Sequence, residues 1–347
     1  MPERRRQPLA WETVPIAGFE EHAAAWQALN RRYGDSPLLD PLFLRPAIEQ
    51  FASGDELVAI GHVADQPAAM AILGRSGGLG WQTFQPANAP LGALVLDPTL
   101  IGGLEGLADG SLAQHLPGPA LMIGLSQLDP AFIARPDDGE RVQGLDYIDT
   151  ARVTLADRYE DYWAARGKNL RHNMKRQRNR LERDGVTMRL ERLTAAADMA
   201  RAVEDYGALE SAGWKQEAAS AVHIDNAQGR FYRDMLTAFA GRGEALVLRL
   251  FYDETLVASD LCLLRDRILI ILKTSYDETT KSTSPAHLMR HEMIKQAFDE
   301  GDIGCIEFYG PAQDWHRRWT DDVRGLYHLN LYRWPLLKRL HQRRRAA

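Results

Sequence analysis

Three apolar-rich runs follow one another at Ala245–Tyr252, 256–264 and 267–275, separated only by Asp253-Glu254-Thr255 and Arg265-Asp266. Turns this short join antiparallel neighbours, because a parallel connection needs a dozen or more residues. The segment is therefore expected to be a three-stranded meander, and whatever surrounds it must pack on that sheet. Residues 186–193 alternate apolar and polar side chains and predict a strand ahead of it. Helices are expected at about 195–212 and 228–242, the second ended by Gly241 and Gly243. After the meander a polar loop, 276–284, leads into a helix over Pro285–Glu300. There Ser284 is the expected N-cap, Pro285 the first helical residue and Gly301 the stop. A strand at 303–309, a short helix at 313–319 and a strand at 326–334 complete the order β-α-α-β-β-β-α-β-α-β.

The first half repeats nearly the same order. Helices are expected at Phe19–Tyr33, 41–53 and 98–115, and strands at 56–64, 67–74, 80–84, 120–126 and 146–153. A chain of 347 residues with 45% hydrophobic residues has material for two packed cores. The expected organisation is a first copy at 10–155, a basic bridging helix at 156–185, a second copy at 186–334 and a basic tail at 335–347. The fold class is α+β (mixed α/β), each copy a mostly antiparallel sheet flanked by helices.

The formal net charge of −5 argues against a surface that is basic throughout, so contact with a polyanion would need a local patch. Residues 166–183 supply one, with eight Lys or Arg on a helix-compatible stretch whose thin apolar stripe is Leu170, Met174 and Leu181. It reads as a solvated bridging helix, as a contact for phosphate or anionic polymer, or as a nucleic-acid site; interleaved aromatics, which would favour single-strand stacking, are missing. The tail 335–345 reads as solvated or as a contact with an anionic membrane surface. Cys262 and Cys305 form no CxxC pair and are expected as small buried residues in strands, a catalytic thiol being the alternative. The arginines near the N-terminus precede no apolar signal core, and no run approaches the roughly 18 apolar residues of a membrane span. A soluble, cytoplasmic protein is expected.

Chemistry is suggested where charge interrupts apolar runs. Asp260 lies within 257–264, where an unpaired carboxylate would be costly, so it is either ion-paired, with Lys273 the nearest candidate, or a base with a raised pKa. Glu307 and Tyr309 share one strand face, where Tyr309 reads from its residue type as a packed aromatic. Trp214, Lys215, Trp315, His316 and Trp319 combine stacking faces with polar neighbours, as a saccharide site does. His287 and His291 stand four apart beside Glu292, but without an HExxH pattern, and no metal is expected.

The element order is that of GNAT acyltransferases, and particular segments add to it. Residues 272–278 followed by Ser284-Pro285, the Asn169-Leu170-Arg171-His172-Asn173 core of the basic run, and Glu210-Ser211-Ala212-Gly213-Trp214-Lys215 resemble one GNAT-like branch. It comprises acetyltransferases associated with bacterial cellulose and exopolysaccharide biosynthesis, relatives of the Fem peptidyltransferases. The match covers roughly 160–320. The branch usually has Ser-Pro-Gly at the loop–helix junction, where this chain has Ser284-Pro285-Ala286. The resemblance implies two tandem GNAT-like domains and transfer of an acetyl or other acyl group from acyl-CoA to an amine or hydroxyl of a saccharide or cell-envelope precursor. Alternatives are Fem-like transfer from aminoacyl-tRNA and a non-catalytic scaffold. It points to Tyr276, Lys281, Ser282, Ser284, Ala286 and His287 for the donor. Asp260, Lys273, Glu307, Tyr309 and His316 would serve the reaction, and Trp214, Lys215, Trp315 and Trp319 the acceptor.

Overall fold

The structure is a computed structural model that describes residues 9–86, 88–156, 158–211 and 222–346. The chain forms two compact units: residues 150–323 make unit 2, and unit 1 combines the chain up to residue 149 with residues 324–347.

Unit 1 opens with β1 (Ala10–Pro15), α1 (Phe19–Tyr33) and α2 (Pro41–Phe51). A meander follows, β2 (Leu57–Val63), β3 (Gln66–Ser76) and β4 (Gly80–Thr83), with the short β5 (Leu94–Leu96) paired to β3. The single helix expected over 98–115 is instead broken into α3 (Pro98–Ile101), a 3-10 turn at Leu104–Leu107 and α4 (Leu112–His115). The break falls at Gly102 and Gly103, whose φ values of 69° and 91° lie in the left-handed region and cannot continue a helix. Next come β6 (Met122–Leu128), parallel to β4, and β7 (Val142–Thr154), which runs across the unit boundary.

Unit 2 continues with α5 (Tyr159–Ala164), α6 (Lys168–Arg183), β8 (Met188–Leu193), α7 (Ala196–Ser211) and α8 (Ala227–Ala240). The predicted meander is β9 (Ala245–Tyr252), β10 (Thr255–Arg265) and β11 (Ile268–Tyr276). Then come α9 (Pro285–Glu300), β12 (Cys305–Glu307) and α10 (Asp314–Arg317). β13 (Val323–Tyr332) and α11 (Pro335–Ala346) return to unit 1, where β13 pairs with β6. The expected second copy at 186–334 is therefore corrected at both ends. Its last strand is antiparallel to Met122–Leu128 of the other unit's sheet, and its first helix lies further upstream.

Of the two upstream helices, α5 and α6, the second is the one expected as a bridge. Its stripe of Leu170, Met174 and Leu181 is buried in the core of unit 2, with Leu288, Met289 and Met293 of α9 in the same cluster. Arg178 of α6 forms an ion pair with Glu292 of α9 and places Nη2 3.0 Å from Nδ1 of His291, and Tyr159 of α5 bonds Nε2 of that ring at 2.7 Å. The expected solvated tail is also structured. In α11 the ammonium of Lys338, only 9% exposed, donates to the carbonyls of Gly139 (2.9 Å) and Val142 (2.7 Å).

The charge inside β10 decides how α9 seats. Asp260 is fully buried; its Oδ2 accepts from Arg290 of α9 at 2.8 Å and its Oδ1 from Thr274 of β11 at 2.6 Å. Lys273, the partner expected from sequence, lies on the other face. The register sets Asp260 opposite Thr274 and Leu261 opposite Lys273, and neighbours along a strand point to opposite sides. Lys273 instead bonds Glu210 of α7 at 3.3 Å. Removing one partner of a buried pair strands the other charge. We expect Arg290→Met to lower the unfolding free energy by about 3–5 kcal/mol, with Asp260→Leu/Arg290→Met recovering most of it. Urea titration of both variants measures the difference.

Candidate functional site

β11 and β12 run parallel only over Ile268–Ile270 and Cys305–Glu307, after which β12 ends and β11 continues to Tyr276. The two strands thus part. The chain leaves β11 through a 3-10 turn at Glu278–Thr283 whose start is capped by Asp277, its Oδ1 accepting from the Thr279 amide at 2.9 Å. Ser284 takes a left-handed conformation (φ 56°), and Pro285 then starts α9. Ser284 occupies the N-cap position as expected, yet its side chain makes no capping bond, because the left-handed backbone departs from the extended geometry that aims a cap at the helix amides.

One turn into α9, His287 lines a cavity of about 990 Å³ whose other walls come from residues 165–176 and 317–321. Five permanent cations line it, Arg166, Lys168, Arg176, Arg317 and Arg318, against the single carboxylate of Asp321. His172 and Arg176 are shared with a second cavity of about 750 Å³ along α6, walled by Lys175, Arg180, Arg183 and Ser282 among others. The exposed face of α6 is therefore a basic strip beside the start of α9.

Trp319 organises the first cavity from beneath. It is fully buried; its indole N–H donates to Nδ1 of His287 at 3.2 Å, and its carbonyl accepts from the Tyr162 hydroxyl at 3.1 Å and from the Arg166 guanidinium. An indole N–H can only donate, so Nδ1 of His287 accepts and the proton of the neutral ring is on Nε2. Two more histidines are set the same way: Nδ1 of His316 accepts from the Gln313 amide at 3.0 Å, and Nδ1 of His291 faces Arg178. Burial, first of all, holds all three pKa values down at about 4; Arg318 adds to this at His287, Arg178 at His291 and Arg290 at His316. These rings are neutral Nε2–H donors at ordinary pH.

Residues 168–317 match the family model described as the acetyltransferase (GNAT) domain. Solved structures of similar fold cover nearly the whole chain. FemX superposes with a TM-score of 0.55 at 11% identity, covering 95% of this chain and 99% of its own. The C-terminal domain of a candidate lysylphosphatidylglycerol synthetase from Agrobacterium fabrum gives 0.55 at 13% identity, with 90% and 92% covered. A conserved protein of unknown function from Bacteroides thetaiotaomicron gives 0.53 at 11%, with 93% and 99% covered. The chain has the GNAT fold. No curated protein matches it significantly.

Within that GNAT frame the residues singled out by sequence fall into separate groups. Of the donor set, His287 lines the first cavity and Ser282 the second, while Tyr276 and Lys281 are exposed beside the turn and Ala286 is half-buried. Asp260 is sealed in its pair with Arg290; burial pushes its carboxyl up, against the pull of Arg290 and Thr274, but neither oxygen faces an opening. Of the two readings made from sequence, this geometry corresponds to the ion pair, with Arg290 in place of Lys273. Lys273 and Glu210 form a second pair on the α7 and α8 side, where Glu210 also accepts from the Val222 amide at 2.7 Å. Glu307 is buried at the end of β12, opposite Arg152 of β7. Tyr309, also buried, follows with φ 52°, a backbone conformation that costs a bulky side chain energy.

The expected saccharide aromatics are corrected in part. Trp319 is core and has no free face. Trp315 stacks on His316 at 3.5 Å between ring centroids, so neither presents both faces, and His316 closes the capping box of α10. Trp214 and Lys215 lie outside the described residues. Arg290 and Arg318 are groups that the sequence reading did not single out, whereas Arg166 belongs to the basic run read there as a possible phosphate contact. Among the described residues no cluster of His, Cys, Asp and Glu could hold a metal.

The histidines make stability pH-dependent. An unfolded chain protonates them near 6.5, and the folded one only near 4. As pH falls from 6.5 the unfolded state takes up protons first, so stability drops through this window and levels off near 4; above 6.5 these rings contribute no slope. Urea midpoints from pH 8 to 4 should show that one-sided decline, and His291→Gln should reduce its slope.

Proposed function

We propose that unit 2 transfers an acyl group from a phosphate-bearing activated donor, acyl-CoA, to an amine or hydroxyl of a saccharide or cell-envelope precursor. The observation that carries this reading is the cavity beside the start of α9, with five cations against one carboxylate, in a GNAT fold. Its volume suits a cofactor-sized ligand, and guanidinium forks match phosphate oxygens in pairs. Those residues fit the polyphosphate end of a coenzyme A thioester, which when bound would supply the activated acyl group.

The chain's own groups take these roles in the proposal. Arg166, Lys168, Arg317 and Arg318 hold phosphate. Arg166 is pre-set for this, because its guanidinium is bonded to the Trp319 carbonyl and lies 4.7 Å from the centroid of the Tyr162 ring. His287 directs Nε2–H into the cavity as a neutral donor. Tyr309, just beyond the point where β11 and β12 part, is the candidate proton donor, and its strained backbone is consistent with a position kept for function. The partly exposed Lys273 ammonium, held by buried Glu210, is placed to meet an acceptor on the other face of the sheet.

A second reading, donation from aminoacyl-tRNA, is favoured by one feature: the basic strip continues past the first cavity along α6 to Arg183. A nucleotide-sized donor needs only the first cavity, and an RNA would use both. Calorimetry with acetyl-CoA and an RNA shift assay over a salt series separate them. Acetyl-CoA is expected to bind, and Arg318→Glu to weaken it by about tenfold or more, while Arg183→Glu leaves it unchanged. Loss of RNA binding in Arg183→Glu, with no acetyl-CoA binding at millimolar ligand in the parent, would decide for the tRNA reading. With a working acceptor, Tyr309→Phe should reduce kcat by about 10²-fold or more; unchanged turnover removes the role given to Tyr309.

A further inference from the structure

The outer face of α11 carries a feature that acyl transfer leaves unused. Trp334, Leu336 and Leu340 are 49%, 63% and 48% exposed, three large apolar side chains within seven residues. Scattered single apolar residues are ordinary on a surface, but a contiguous group rimmed by charge marks an interaction site.

The rotation of the helix is set by its inner side. Lys338 donates to two carbonyls of unit 1, and His341, three residues on, meets the Tyr332 hydroxyl at 2.6 Å. Leu336 and Leu340, four apart, consequently share the outward face, and Arg339 and Arg343 are exposed, each three residues after one of the leucines. Arg333 is anchored to the Pro119 carbonyl at 2.8 Å and lies 5.0 Å from the centroid of the Trp334 ring, which holds the indole at the head of the row. Residues 333–347 include six Lys or Arg and no Asp or Glu, in a chain whose net charge is −5, so this positive charge is local.

We propose that α11 is an in-plane anchor for an anionic lipid bilayer, with Trp334, Leu336 and Leu340 seated at the boundary between headgroups and acyl chains and Arg339 and Arg343 on lipid phosphates. An indole prefers that boundary, apolar side chains gain by leaving water there, and each arginine adds attraction to an anionic leaflet. Nucleic acid would use the arginines but leave the leucines in water. A two-fold contact with a second copy would set the arginines of one α11 against those of the other. Among the described residues no helix is long and apolar enough to cross a membrane, so contact through α11 would be peripheral.

Flotation of the full chain with vesicles tests this. Binding is expected to vesicles of phosphatidylcholine with phosphatidylglycerol, to weaken with salt, and to be lost on phosphatidylcholine alone. Leu336→Gln/Leu340→Gln keeps every cation and should lower binding at least about tenfold, whereas Leu79→Gln, at a leucine 57% exposed elsewhere in unit 1, should not. Matching thermal unfolding of both variants with the parent checks that the fold persists. The proposal is overturned if the parent fails to float with phosphatidylglycerol at low salt, or if the double variant floats as well as the parent. It is also overturned if sedimentation shows a dimer that the double variant dissociates. Acetyl-CoA binding is measured on the same samples, so failure of the anchor and failure of the acyl-transfer reading are seen separately.

Discussion

The guanidinium of Arg290 is held between the carboxylate of Asp260 and the ring of Phe308, in a part of unit 2 that water does not reach. A charge from an apolar strand and a charge from the buried face of a helix each make the other tolerable. Because the two groups must meet, α9 has one seating over β10 and β11. His287, one turn earlier on the same helix, is placed by that seating, and so is His291 one residue later. The cavity, the bond from Trp319 to His287 and the alignment of α6 along α9 all depend on where this helix rests.

The cavity draws its charge from groups that stay charged and its directionality from groups that stay neutral. Trp319 contributes to both, since its carbonyl aims Arg166 and its indole fixes the tautomer of His287. A protonated imidazole would bind anions by charge alone. A neutral one with its proton on Nε2 is a directional donor, and burial among arginines keeps it so. The tryptophan that by composition suggested a sugar platform thus acts from below the site.

Much of the fold was legible in the sequence because local signals agreed. The meander at Ala245–Tyr252 and the two strands after it followed from short turns, and Pro285–Glu300 from proline, serine and glycine at its ends. Boundaries of α1 and β9 were met to the residue. The short strands β1 and β5 lacked an alternating pattern of any length. The apolar stretch over 98–115 does not make one helix, because Gly102-Gly103 interrupts it with left-handed backbone. The site was harder, since its contacts are made across elements. Arg290 is followed directly by His291 and Glu292, so nothing in the sequence set it apart as the partner of Asp260. Which face Lys273 takes depends on register, and the packing of α6 on α9 needs the three-dimensional arrangement.

The return of β13 to unit 1 bears on how the protein is made. Unit 2, residues 150–323, is synthesised in full before Arg324 is added. Unit 1, although it holds the beginning of the chain, must wait for the strand that pairs with β6 and for the helix that buries Lys338. Completion of unit 1 thus waits on the synthesis of unit 2, which departs from a simple N-terminal-first order of domains. The earlier strands of unit 1 spend that interval with the edge of β6 unpaired, the period in which a nascent chain is most exposed to wrong partners.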